Sequence, residues 1–364
     1  MISKTIDFKN FLSKKITKKN RKNLLNLLKN NSEIINSLKS NYKDNYNFRR
    51  IKKDIKNLEI RIIGIGGSIL GSKCIYNFLK KKKYNNLIIS KSGNTLETIS
   101  NFNYLRGKGD KNIFITENKK SYLFSIAQSL KSEIIHHNNF IGGRYSVLSE
   151  VGMLPAELMG LNPKKFRQLN NIIKNKNFLN SLLKNVEAIL FLRNQKKSNS
   201  ILLNYNSNLV DFLEWYKQLT AESLGKKGKG ILPIISNMPK DNHSLMQFYI
   251  DGIKKNFYSF FFLSDQETKT ITFKKVSGDY KYLKKGTLSN IIYNQKIATE
   301  KTFEMKKIPF RSFNILKKDE KTLGEMFIFF ILETILLGKA MNVNPYDQPS
   351  VELIKTQTKK YLTR

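Results

Sequence analysis

Cysteine is nearly absent from this chain of 364 residues: Cys74 stands alone. It cannot close an internal disulfide, which fits a reducing cytoplasm. Only His136, His137 and His243 accompany it, and the four residues form none of the usual metal-ligand spacings. Metal binding is therefore only weakly supported. No apolar run is long enough for a membrane span; the nearest, Met326 to Leu337, is short and broken by Glu333. Met1-Ile2-Ser3-Lys4 has no apolar stretch behind it, so no signal peptide is expected. Prolines number seven and no long Gly/Ser stretch occurs, which argues against a flexible linker. Acidic residues are scarce, 28 against 65 Lys and Arg, for a formal charge of +37. Such an excess first suggests a nucleic-acid partner. The lysines, however, are spread along the whole chain and mixed with asparagines, as in Asn170 to Asn177. A spread charge is usually a solvated surface, although its field still attracts small anions.

A hydrophobic fraction of 40% with 11% aromatics marks a globular chain, long enough for two domains. Residues 1–45 are rich in Lys and Asn with apolar residues at helical spacing, and read as a peripheral helical segment. From Leu58 the pattern alternates between strand and helix. Strands are expected at Ile60 to Ile65, Leu87 to Ser90, Asn112 to Thr116 and Glu133 to His136. Helices are expected at Ile69 to Leu79 and Thr95 to Leu105. After a helical block from Pro163 to Arg193 a second alternating unit begins. Its strands are Ile201 to Tyr205, Ile231 to Ser236 and Phe257 to Leu263, and its helices are Leu209 to Leu224 and Ser244 to Ile250. Helical patterns return at Leu288 to Thr299, Leu323 to Met341 and Val351 to Leu362. The class is α/β, with mainly parallel sheets flanked by helices. Four parts are expected: 1–45, 46–185, 186–318 and a C-terminal helical segment, 319–364.

Ser90-Lys91-Ser92-Gly93-Asn94-Thr95 follows a strand and opens a helix. Its hydroxyls and free N–H groups suit a single phosphate at a helix N-terminus, although such a cluster also serves as an ordinary N-cap. It lacks the spacing of a nucleotide P-loop. The turn Gly64-Ile65-Gly66-Gly67-Ser68-Ile69-Leu70-Gly71 fails the dinucleotide pattern at its sixth position, Ile69. A sugar at this strand end remains open, as does a plain tight turn. Arg144, behind Gly142-Gly143, suits the stabilisation of an oxyanion, or is a surface arginine on a turn. Gly225 should end the helix that carries Glu222. Glu222 then lies at the negative end of the helix dipole, a place that disfavours the carboxylate and suits a general base. The ordinary alternative is a solvent-facing glutamate paired with Lys226. His243, at a helix start, could shuttle protons or be structural.

Six segments occur in an order that resembles the glucose-6-phosphate isomerase family, of the sugar-isomerase fold. They are Gly64 to Gly71, Ser90 to Thr98, Gly142 to Ser149, Gln218 to Lys226, Asp241 to Gln247 and Asn344 to Lys355. The resemblance implies two sugar-isomerase-type subdomains and an aldose–ketose isomerisation without metal or cofactor. By motif, Ser90, Ser92 and Thr95, with the Lys91 backbone, would hold the phosphate, and Gly67 and Ser68 would line the sugar site. His243 and Lys355 would assist ring opening. Glu222 would move the proton between C2 and C1, Arg144 would stabilise the cis-enediolate, and Gln348 would orient Glu222 or the sugar hydroxyls. A homodimer is implied, with His243 contributed by the neighbouring subunit. The chain departs from the family pattern at Ile69, Asn94, Asn242, Ser350 and Ile354, none of them a proposed catalytic group. Two other readings stay open: a sugar-phosphate sensor without catalysis, and an isomerase that also takes mannose 6-phosphate.

Overall fold

The computed structural model describes residues 2–12, 15–30, 32–54, 61–63, 67–79, 86–105, 111–264 and 287–363. The glycines Gly64 and Gly66 of the first motif lie outside the described residues. Among those described, the strands are β1 (Ile6–Lys9), β2 (Arg61–Ile63), β3 (Asn86–Ile89), β4 (Asn112–Thr116), β5 (Glu133–His136), β6 (Asn199–Asn204), β7 (Leu232–Asn237), β8 (Asn256–Leu263) and β9 (Phe310–Ile315). They form two sheets, ordered β2-β3-β4-β5 and β1-β9-β8-β6-β7. Every pairing is parallel except β1 with β9. β3 and β8 are buried along their whole length, as parallel strands covered on both faces must be.

Helix Glu320–Ala340 joins the two halves. It is mostly apolar, and every residue from Thr322 to Gly338 is buried, Glu325 and Glu333 included. Asp319 caps it, accepting from the Thr322 N–H at 2.8 Å. It packs on helices Val210–Leu224 and Lys176–Asn194, while Val210–Leu224 also packs on Gly67–Leu79. Gly71 permits close packing of helix Gly67–Leu79 on the turn Gly143–Leu148: a Cβ on it would stand 2.6 Å from Val147 Cγ2. Among the described residues no helix is long and apolar enough to cross a membrane.

The termini differ from the sequence reading. Residues 1–45 are not peripheral helix alone. They supply β1, and Ile6, Leu24, Leu27 and Ile35 enter the main core. Ile6 and Phe8 turn inward between exposed Asp7 and Lys9, but four residues of alternation are too few to register as a strand. At the other end, helix Glu320–Ala340 is central and only Pro349–Leu362 is peripheral, with no buried residue. Helix Lys176–Asn194 runs unbroken through residues 185 and 186, where the sequence reading divides the two subdomains.

Candidate active site

Several segments meet at one cleft of about 460 Å³: residues 32–34, the start of helix Gly67–Leu79, the loop after β3, residues 139–145, and the last turns of helix Val210–Leu224. Gln348 and Tyr346 close one side. Of the residues expected from the sequence, Ser68, Lys91, Arg144, Glu222 and Gln348 all line it.

Arg144 is the organising group. Its side chain is almost fully buried, while that of Glu222 keeps 23% of its surface open to solvent. Arg144 Nη1 donates to Glu222 Oε1 at 2.9 Å and to Gln348 Oε1 at 2.8 Å. Nε donates to Ser223 Oγ at 2.8 Å, and Nη2 to the carbonyls of Pro345 and Asp347 at 2.8 and 3.1 Å. The guanidinium therefore has one counter-charge and four neutral acceptors, which fix its plane. Trp215 Nε1 donates to the Arg144 carbonyl at 3.1 Å, locking the backbone behind it.

Glu222 sits on the final turn of helix Val210–Leu224, and Gly225 follows as its C-cap. Gln218, one turn earlier, donates Nε2 to Glu222 Oε2 at 3.0 Å. Both carboxylate oxygens are thus held by protein donors. Lys226 is not the partner of Glu222. It pairs with Asp347 at 2.7 Å and also donates to the Asn344 carbonyl. The helix has ended by then, so Glu222 and Lys226 no longer share a face.

The hydroxyl-rich loop is held from beneath. Ser90 and Thr95 share a hydrogen bond between their hydroxyls at 2.8 Å, and helix Leu96–Leu105 begins directly afterwards. Gly93 turns the loop at φ +65°, where a Cβ would lie 2.0 Å from Ser121 Oγ. Asn94 Oδ1 accepts from the Tyr122 N–H at 2.9 Å, pinning the loop to helix Tyr122–Ser129. Lys91 Nζ donates to the Asn139 carbonyl at 2.9 Å, bridging this loop to the opposite wall. Ser90, Ser92 and Thr95 sit on the loop just outside the cleft lining.

Two further expected residues, His243 and Lys355, do not join this cleft either. His243 is exposed after the short turn Lys240–Asn242. Lys355 projects from the exposed helix Pro349–Leu362, paired with Glu352 at 2.6 Å. Gln218, Tyr145, Ser223 and Trp215 were not assigned roles from sequence. Only Gln218 carried a local signal, its i,i−4 spacing from Glu222; the others sit on or beside the same motifs, but the partners they bond are 71 or more residues away.

A buried polar cluster supports the wall that leads to Arg144. The His137 N–H donates to the Thr116 carbonyl at 2.8 Å, and His137 Nδ1 bonds the Asn138 carbonyl at 2.9 Å. The Asn138 N–H donates to Glu150 Oε1 at 2.8 Å, and Asn138 Nδ2 to Glu33 Oε2 at 2.8 Å. Burial pushes the His137 imidazole down from 6.5 to about 4; the Asn138 hydrogen bond opposes this, Lys91 adds to it and Glu117 opposes it. Between those values the unfolded chain binds the proton and the folded chain does not. Stability therefore falls as pH drops from 6.5 toward 4, by up to about 3 kcal/mol. Burial raises the Glu150 carboxyl. That group has the opposite sign: its contribution is present at low pH and lost as pH rises through its folded value. Urea unfolding of His137→Asn, which keeps a donor near Nδ1, isolates the imidazole. The variant should show a flatter decline below pH 6.5 than the wild type.

No protein-family model matches the chain. Among curated proteins it is 32% identical to the glucose-6-phosphate isomerase of Mycoplasmopsis pulmonis over 85% of this chain and 76% of that one. It is 31% identical to that of Methanocaldococcus jannaschii over 80% and 81%. Among solved structures, a hypothetical protein of Thermus thermophilus superposes with a TM-score of 0.81 at 21% identity, covering 95% of this chain and 94% of that one. A glucose-6-phosphate isomerase from Chlamydia trachomatis superposes at 0.72 and 16% identity, over 90% and 78%. These two share the fold, and the sequence identity over most of both chains in the first pair carries the family. The chain belongs to the glucose-6-phosphate isomerase family.

Proposed function

We propose that this chain interconverts glucose 6-phosphate and fructose 6-phosphate through a cis-enediol. The observation that carries the reading is a carboxylate and a buried guanidinium held 2.9 Å apart in one cleft beside a hydroxyl-rich loop. Aldose–ketose isomerisation needs a base to lift the C2 proton, a cation for the enediolate oxygen, and an anchor for the phosphate. Glu222 is the base; once protonated it delivers the proton to C1. Arg144 stabilises the enediolate by its fixed charge beside Glu222, with the enediolate oxygen taking the Nη1 hydrogen that Gln348 otherwise accepts. Ser90, Ser92 and Thr95, with the Lys91 backbone, hold the phosphate, and Gly67 and Ser68 border the sugar. Gln348 orients Glu222 through their shared donor, Arg144 Nη1.

His243 and Lys355 assist ring opening in this reading, and both must come from outside the cleft described above. A homodimer would supply His243 from a second subunit. Support comes from the apolar surface near it: Leu245, Phe248 and Ile253 are exposed, as are Leu232 and Ile234 on β7, a sheet edge. Lys355 would reach the sugar if its helix moved about Gln348. A cytoplasmic location belongs to the same reading, supported by the single buried thiol.

The test is turnover of fructose 6-phosphate to glucose 6-phosphate by the purified chain without added metal, with mannose 6-phosphate followed in the same samples. Glucose 6-phosphate formation supports the reading, and a mannose signal would widen the specificity. Saturable sugar-phosphate binding without turnover would favour the sensor instead. The phosphate loop has its own test. Gly93→Ala places a Cβ against Ser121 at a left-handed φ, so a stability loss of about 1–3 kcal/mol is expected, with KM raised several-fold. An unchanged urea midpoint and KM would contradict the loop assignment.

A further inference from the structure

A second cleft, of about 490 Å³, lies behind the C-terminal end of helix Val210–Leu224, bordered by Ala221 and Gly225. Arg193, Lys196, Lys229 and Ser198 form its polar walls, and no carboxylate lines it. Lys196 and Lys229 are exposed and Arg193 is half-buried, unlike three buried arginines of the chain. Arg144, Arg167 and Arg311 each pair with a carboxylate. Arg193 Nε is buried with no acceptor among the described residues. The loop from Gly225 to Gly230 turns through left-handed conformations at Lys227, Gly228 and Gly230. Among the described residues the N–H groups of Gly228 and Gly230 have no backbone acceptor. Converging cations, free loop donors and an unpartnered guanidinium nitrogen call for an anion with several acceptor oxygens.

We propose that this cleft binds a small, multiply charged phosphate compound, with pyrophosphate as the simplest form, and that its occupancy slows turnover. Lys229 provides the connection. Its Nζ donates to the Met341 carbonyl at 2.8 Å, and nearby Lys226 pairs with Asp347 at 2.7 Å. The same segment offers the Pro345 and Asp347 carbonyls to Arg144. A phosphate oxygen competing for Lys229 releases Met341 and loosens the support behind Arg144. The turnover half of this proposal rests on the isomerase reading; the binding half does not.

Isothermal titration with pyrophosphate tests the binding, in the presence and absence of saturating fructose 6-phosphate. One event per chain should persist when the sugar phosphate fills the first cleft. Arg193→Gln combined with Lys196→Asn should weaken that event at least tenfold. The double variant should keep wild-type turnover when pyrophosphate is absent, which also shows that it folds. In the wild type, pyrophosphate should lower kcat saturably, and the variant should lose that effect. The proposal is overturned if fructose 6-phosphate displaces all bound pyrophosphate, if the variant binds it equally, or if bound pyrophosphate leaves kcat untouched. Many weak sites insensitive to the substitutions, as a charge of +37 alone would give, would overturn it too.

Discussion

Glu222→Gln should lower kcat for fructose 6-phosphate by about 10²–10⁴-fold, the usual contribution of a positioned general base. KM should change little. The amide keeps the length and shape of the side chain, and its oxygen can still accept from Arg144 Nη1. It cannot accept a proton from carbon. An interaction needed only in the transition state is lost, so kcat and kcat/KM should fall together. Glu222→Asp should be intermediate, because the carboxylate withdraws by about one bond from the hydrogen bonds of Gln218 and Arg144 while remaining a base. Glu214→Gln is the control. Glu214 lies on the same helix, pairs with Lys217 and is solvent-exposed, so turnover should not change. Steady-state kinetics on the three variants decides the matter. If Glu222→Gln loses less than about tenfold, well below the range of general base catalysis, Glu222 is not the base.

The largest stability effect should come from Glu333→Leu, at about 3–5 kcal/mol. Glu333 and Arg311 are fully buried and form an ion pair at 2.5 Å. Arg311 also donates to Ser259 Oγ at 2.8 Å, Asn185 Oδ1 at 2.9 Å and the Tyr216 hydroxyl at 3.0 Å. Tyr216 in turn donates to Glu333 Oε1 at 2.7 Å, and Asn185 to Glu333 Oε2. The guanidinium lies against the rings of Phe11, Phe313 and Phe330. Removing the carboxylate strands that cation in an aromatic core and leaves the Tyr216 and Asn185 donors without acceptors. A loss of this size is a large share of the about 5–15 kcal/mol that folded domains possess. Arg311→Met together with Glu333→Leu should recover much of it, since no unpaired charge remains. Urea unfolding of both variants measures this. A single-variant loss below about 1 kcal/mol, the scale of an exposed pair, would show that the network is not desolvated.

That network also marks the limit of what the sequence discloses. Glu333 reads as a charge that breaks an apolar run, which rules out a membrane span but says nothing of a buried partner. Arg311 lies in β9, and its charge hides the strand that Phe310, Phe313 and Ile315 would otherwise announce. β1 is hidden in another way, because the strand it pairs with, β9, lies some three hundred residues away. By contrast, β4 and β5 stand where the apolar runs between polar ends put them, and β6, β7 and β8 within a residue or two. The central strands β4, β6 and β8 announce themselves locally because they are buried on both faces, and the edge strands β5 and β7 because they keep apolar residues although partly exposed.

The cleft divides along the same line. Ser68, Lys91, Arg144, Glu222 and Gln348 were legible because each belongs to a short ordered motif, and the fold brings those motifs together. The choice between Arg144 and Lys226 as the partner of Glu222 was not legible, because it depends on where Gly225 ends the helix and on carbonyls of residues 341–347. His243 and Lys355 belong to the same motif set, but their surroundings are exposed surface. The roles proposed for them would require a second subunit or movement of helix Pro349–Leu362.

The central claim is that Glu222 carries a proton between C2 and C1. The most direct measurement is the isomerisation run in D₂O, with NMR detection of deuterium on C1 of fructose 6-phosphate and C2 of glucose 6-phosphate. Glu222 is partly open to solvent, so the proton it holds can exchange during turnover. The account predicts deuterium at both carbons with the wild-type chain, and neither turnover nor label with Glu222→Gln. Full interconversion with no deuterium at either carbon would point to a hydride shift and would contradict the account.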